Sequence, residues 1–247
     1  MSRYFIEVAY KGTQYAGFQV QRNANSIQAE IEKSLTILFR ATFNLTGSSR
    51  TDAGVHAVSN FFHFDTEALT AYDELKLNKS IYNLNAILPG DIVVQKIYRV
   101  ADTAHCRFDA VSREYRYYIY QEKNPFTADR AYYYPYKLQV PLLNQAAALL
   151  LSYNDFTSFS KRNTQVKSFN CTIIVSEWRW HDEQLIYTVK ANRFLRGMVR
   201  GLVGTMLKVG TGKLSLNEFK VIIEGKDCSA VDFAVPAHGL FLVKVEY

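Results

Sequence analysis

Polar and apolar positions alternate over residues 3–10. Tyr4, Ile6, Val8 and Tyr10 fall on one face and Arg3, Phe5, Glu7 and Ala9 on the other, the period-two pattern of a strand. Lys11 to Gln19 breaks the pattern, and Gly12 and Gly17 among aromatic and amide side chains predict a loop, either a plain hairpin or one that can approach a ligand. Asn25 followed by Gln28 predicts a helix start, with Ile27, Ile31, Leu35 and Leu38 on its apolar face. A short strand near 43–46 and a longer one over 57–64, carrying Phe61, Phe62 and Phe64, flank the polar stretch 48–56. A helix over 73–84 through Leu77, Ile81 and Leu84, a turn at Pro89-Gly90-Asp91 and a strand over 92–100 complete an α+β unit on an antiparallel or mixed sheet.

The second half repeats this order of elements without a residue-level repeat. Residues 112–121 predict a strand with Arg113, Tyr115, Tyr117 and Ile119 on one face and Glu114, Arg116, Tyr118 and Tyr120 on the other, ended by Asn124-Pro125-Phe126. A short apolar helix over 142–151 precedes the turn Asn154–Phe159, with two buried phenylalanines. Strands over 172–178 and 185–191 pair across His181-Asp182-Glu183, and a helix over 194–209 follows. Ser215-Leu216-Asn217-Glu218 is a capping box, and 239–246 is the closing strand. The expected fold class is α+β. Two related lobes, 1–104 and 105–247, carry mixed or antiparallel sheets with helices packed on one face, and a catalytic cleft is expected between them.

Composition narrows the function classes. No apolar run approaches the roughly 20 residues that cross a bilayer, and Met1 to Phe5 runs directly into a strand, so a protein without membrane span or cleaved leader is expected. Cys106, Cys171 and Cys228 are odd in number and far apart, which points away from a disulfide framework or zinc site and toward a reducing cytoplasm. The net charge is +6, and its excess lies entirely in residues 105–200, where fourteen Lys and Arg face eight Asp and Glu. Arg107, Arg113 and Arg116 interleave there with Tyr115, Tyr117, Tyr118 and Tyr120, and Lys190, Arg193, Arg196 and Arg200 form a second group. Basic residues among aromatics suit RNA, where arginines take phosphates and rings stack on unpaired bases; a tyrosine-rich strand with a solvated basic face has the same pattern.

The most concentrated chemistry is Ser48-Ser49-Arg50-Thr51-Asp52-Ala53-Gly54-Val55-His56, on a strand-to-strand connection. A carboxylate and a guanidinium two positions apart, among small residues, are wrong for a core and costly for a plain turn. His56 reads as a structural hydrogen-bonding residue that fixes the loop.

With these segments in place, the chain resembles the tRNA pseudouridine synthase A family. Arg50–His56 matches its catalytic signature, and collinear matches run from Tyr10-Lys11-Gly12-Thr13 and Gly17-Phe18-Gln19 through Asn85 with Leu88–Asp91 and His105–Phe108 with Tyr115–Tyr117. They continue through Asn154–Phe159 and Met198–Arg200 to Gly239-Leu240. The resemblance implies a cofactor-free, metal-free enzyme that converts uridine to pseudouridine in the anticodon stem-loop of tRNA, at positions 38, 39 and 40, and a homodimer that contacts tRNA with both subunits. It implies that Asp52 is the nucleophile, that Arg50 holds the flipped nucleotide, that Tyr115 stacks on the target base and that Arg200 pairs with Asp52. Arg107, Arg113, Arg116 and Arg196 are candidate RNA contacts.

The residue types agree with such chemistry. A detached base must be held while it rotates, one ionised carboxylate can start the reaction, and a planar guanidinium holds a sheltered carboxylate charged. A noncatalytic RNA-binding or tRNA-chaperone module of the same fold is the alternative, and a glycosidase-like hydrolase would need a second carboxylate near Asp52 that the sequence does not supply. The chain departs from the family pattern at four places: Ser49 stands for glycine, Lys11 for an acidic residue, Phe18 for tryptophan, and the two residues Arg196-Gly197 occupy a variable pair.

Overall fold

The alternating start of the chain forms β1 (Ser2–Tyr10) in the computed structural model, which describes residues 1–21, 23–162 and 166–247. These residues divide into two units, Met1–Val111 with Leu242–Tyr247, and Ser112–Phe241. Residues 105–111 and the last six residues therefore belong with the first unit.

In the first unit β1 is followed by α1 (Ile27–Phe39), β2 (Thr46–Gly47), β3 (His56–Thr66), α2 (Glu74–Ile87) and β4 (Ile92–Arg99). Strands β3 and β4 both run antiparallel to β1. α1 starts one residue later than the Asn25 pattern predicts. Ser26 is the cap, accepting from the Ala29 N–H at 3.2 Å, while Asn25 bonds the Ser26 N–H and Glu30. The strand expected over 43–46 shrinks to Thr46–Gly47 because α1 takes its hydrogen bonds: the Leu45 N–H donates to Glu32 at 2.9 Å and its carbonyl accepts from Gln28 at 2.9 Å. The β1–β3 register advances two residues on β1, from Val8 to Tyr10, against three on β3, from Asn60 to Ala57. This bulge lies beside the 48–56 loop and re-aims Tyr10.

In the second unit β5 (Ser112–Tyr120) pairs antiparallel with a later strand and parallel with the unforeseen two-residue β6 (Tyr132–Tyr133). α3 (Val140–Leu149), β7 (Ile173–His181), β8 (Gln184–Ala191), α4 (Met198–Gly210) and α5 (Leu216–Glu224) follow, with the sheet ordered β5-β8-β7 and antiparallel, and β9 (Leu240–Glu246) starts here but belongs to the first unit from Leu242 on. Tyr117, Ile119, Leu185, Tyr187 and Val189 are fully buried, as are Leu143, Leu202 and Met206 on the helices. Each such large apolar side chain contributes about 1.5–3 kcal/mol on burial. α4 begins at Met198 and not at Phe194, because Gly197 adopts a left-handed φ of +73° and breaks the helix there. The Ser215 capping box forms as expected.

The two units share a device that no residue repeat announces. Asn85 on α2 pairs with the backbone of Val94 on β4 (2.8 and 2.9 Å), and Asn144 on α3 pairs with the backbone of Trp178 on β7 (2.8 and 2.9 Å). In each case an asparagine amide stands in for a neighbouring strand.

Candidate active site

The 48–56 loop is fixed by groups outside it. The Ser48 N–H donates to the Phe61 carbonyl (2.8 Å), the Ser49 carbonyl accepts from Asn60 Nδ2 (2.9 Å), and the Thr51 carbonyl accepts from the Phe18 N–H (3.1 Å). Thr51 Oγ1 lies 2.7 Å from Tyr10 Oη. The Val55 N–H closes a turn onto the Asp52 carbonyl (3.2 Å), with Gly54 at a left-handed φ of +79°. The Gly12 N–H donates to His56 Nδ1 at 3.1 Å, so the imidazole ties two loops together. A Cβ on Gly12 would stand 2.0 Å from the Val55 carbonyl oxygen; the glycine loop of residues 11–19 thus packs directly under the Asp52 loop.

Burial sorts the loop residues into two sets. Ser48, Ser49, Thr51, Val55 and His56 are buried, whereas Arg50 is exposed and Asp52 half-buried. Within the first unit, and among the described residues, the Asp52 carboxylate carries no hydrogen bond or ion pair. Anchored neighbours thus present an uncommitted carboxylate and a guanidinium. Ser49 is only 7 % exposed, and its hydroxyl and that of Ser48 have no hydrogen-bond partner among the described residues. Two residues that the sequence pattern did not single out for this site, Tyr10 and Asn60, hold the loop. The available signal was Asn60 itself, an amide on the same strand face as Phe62 and Phe64.

The His105–Phe108 segment packs on β3. Cys106 is fully buried, its Sγ 3.1 Å from the Thr46 carbonyl and 3.2 Å from His63 Nδ1. Burial, with His105 and Arg3 adding to it, pushes the His63 imidazole down to about 4. Arg107 is exposed, its guanidinium 5.5 Å from the ring centre of Phe108, which is itself 74 % exposed.

The other candidates lie in the second unit. Tyr115 is buried on β5 and meets Phe194 edge-on at 5.0 Å. Arg200, in the first turn of α4, donates from Nε to the Val235 carbonyl (2.8 Å) and from Nη2 to the Phe233 carbonyl (3.1 Å). The 231–235 segment approaches because α4 is bare there: a Cβ on Gly204 would stand 2.2 Å from the Asp232 carbonyl oxygen. Two of the five N–H donors of Arg200 are thus committed to carbonyls. Arg113 donates to the Asn192 carbonyl (3.1 Å), Arg116 is paired with Glu114 (3.1 Å), and Arg196 is exposed. Arg50, Asp52 and Arg107 therefore belong to the first unit, and Tyr115, Arg200, Arg113, Arg116 and Arg196 to the second. Among the described residues no group of three or more His, Cys, Asp or Glu side chains could hold a metal ion, and no helix is long and apolar enough to cross a membrane.

Comparison with known proteins adds a family. A profile described as tRNA pseudouridine synthase matches residues 6–109 and 146–247. A protein of Azobacteroides pseudotrichonymphae named tRNA pseudouridine synthase A is 44 % identical over 247 residues, covering 100 % of this chain and 97 % of its own. Proteins of the same name from Anoxybacillus flavithermus and Staphylococcus aureus (strain JH1) are 40 % and 36 % identical, covering 100 % and 98 % of this chain and 99 % and 90 % of their own.

Proposed function

The chain belongs to the tRNA pseudouridine synthase family, and on that premise we propose that it isomerises uridine at positions 38, 39 and 40 of the tRNA anticodon stem-loop, with Asp52 as the reacting carboxylate. The reaction breaks the N1–C1′ glycosidic bond, turns the uracil and joins C5 to C1′; the C5 hydrogen leaves as a proton and N1 gains one. The observation that carries the assignment is the sorting of the loop: buried, bonded residues on either side of Asp52 hold the backbone, while its carboxylate is uncommitted among the described residues of the unit.

Arg50, exposed two residues before Asp52, holds the extruded nucleotide. Extrusion costs a few kcal/mol, and stacking on Tyr115 returns about 1–3 kcal/mol of it. Arg200 is the guanidinium that pairs with the Asp52 carboxylate, its planar fork being suited to both carboxylate oxygens. The first unit contributes the reacting loop and Arg107, and the second the remaining basic and aromatic residues of the RNA surface. Arg107, Arg113, Arg116 and Arg196 take phosphates, with Arg107 and Arg196 contributing most because both are exposed. The protein acts in the cytoplasm as a homodimer.

The test is a tRNA carrying tritium at C5 of uridine only at positions 38, 39 and 40. The protein releases this label stoichiometrically with pseudouridine formation; label retained in the stem-loop while uridines elsewhere are converted refutes the position, and no conversion anywhere refutes the activity.

A further inference from the structure

Asn60 is entirely buried on β3, on the face that carries Phe62 and Phe64, where an apolar residue would serve the core. A buried amide is costly unless every polar atom is bonded, and here every one is. Its Oδ1 accepts from the Phe61 N–H (2.9 Å), and its Nδ2 donates to the Ser49 carbonyl (2.9 Å) and to Tyr10 Oη (3.1 Å). Tyr10, which the β1–β3 bulge turns toward the loop, continues the network to Thr51 Oγ1 at 2.7 Å. One buried chain of hydrogen bonds thus grips the residue before Arg50 and the residue after it, and the second of these immediately precedes Asp52.

The loop has other anchors for its fold. The Ser48 N–H is held by Phe61, the Thr51 carbonyl by Phe18, and His56 by Gly12. What the Asn60–Tyr10–Thr51 chain adds is orientation: it fixes the peptide planes around Arg50 and so the direction in which Arg50 and Asp52 leave the backbone. Phenylalanine at position 10 would fill the same core volume without this effect.

We propose that Tyr10 and Asn60 are positioning residues for the isomerisation, acting through Thr51 and the Ser49 carbonyl on the aim of Asp52. The inference rests on Asp52 being the reacting carboxylate, and neither residue is required to touch RNA.

The test is single-turnover release of C5 tritium at saturating tRNA, with the Kd for tRNA and the melting temperature measured alongside. Y10F and T51V each slow release by at least about tenfold, as expected for a small misplacement of a reacting group, while the Kd stays within about twofold. T51S, which keeps the hydroxyl, restores the rate that T51V loses. The double variant Y10F/T51V is no more than about threefold slower than the slower single, because both remove the same hydrogen bond. Y10F and T51V both within about twofold of the parent rate, or losses that multiply in the double variant, overturn the inference. If Y10F does not fold, the T51V and T51S pair decides. D52N in the same series separates the two levels: inactive D52N beside unimpaired Y10F and T51V removes the positioning role alone, whereas active D52N removes the Asp52 assignment on which it rests.

Discussion

Gly12→Ala tests the packing of the glycine loop under the Asp52 loop. The added methyl carbon would lie 2.0 Å from the Val55 carbonyl oxygen and 2.8 Å from its carbon, both backbone atoms that no rotamer change can move. Nonbonded atoms rest at about 3.5 Å, so one loop must shift by more than 1 Å. Overpacking of this kind costs about 1–3 kcal/mol, and loss of the Gly12 N–H to His56 bond adds about 1 kcal/mol, for a total of about 2–4 kcal/mol. In a chain of this size that lowers the melting temperature by roughly 4–16 °C. The shift falls on Val55 and His56, within four residues of Asp52, so single-turnover release of C5 tritium slows by about a hundredfold. Gly90→Ala is the matched control, because nothing lies within 4 Å of a Cβ there, and its stability stays within about 0.5 kcal/mol of the parent. Calorimetry and label release measure both variants; G12A melting and turning over like G90A would refute the described packing.

Two further outcomes follow from named contacts. The His63 imidazole is held at about 4 in the native state, below its ordinary 6.5, so the unfolded chain takes up the proton first as pH falls. Its contribution is complete above about pH 6.5 and is lost by about pH 4, a difference of about 1–3 kcal/mol after solvent screening, and urea titrations across that window lose this component in His63→Asn; an unchanged pH dependence contradicts it. Arg196→Ala lowers the salt-dependence slope of tRNA binding by about one, while Arg116→Ala lowers it less because Glu114 already sits 3.1 Å from that guanidinium. Filter binding across a salt series checks this, and equal slopes for the two variants would overturn it.

Where the fold was legible in the sequence, local chemistry and tertiary packing agree. The strand at 3–10, the paired strands before and after Asp182 and the capping box at Ser215 each carry their own signal and form as expected. The failures have particular causes. Asn25 looked like a cap because it has the right chemistry, but Ser26 beside it has it too and wins the Ala29 N–H. The strand at 43–46 was lost to side chains from α1, and the helix at 194 was shortened by a glycine whose left-handed backbone only the structure reveals. Of the candidate site, the Arg50–Asp52 pair was visible as misplaced polarity in a loop. The Tyr10–Asn60–Thr51 network was not, because it joins residues 41 and 50 positions apart and depends on a bulge. Nor was the commitment of two Arg200 donors to the carbonyls of Val235 and Phe233, which requires the close approach that Gly201 and Gly204 permit.

The assignment of Asp52 is tested most directly by Asp52→Asn, which keeps the size of a half-buried side chain and removes its charge. Tritium release from C5-labelled tRNA and tRNA binding are measured on the same preparation. The expected result is loss of label release with a Kd within about tenfold of the parent, since the carboxylate acts in the reaction and not in the phosphate contacts that carry affinity. Label release at the parent rate by D52N would contradict it and move the reaction to another residue.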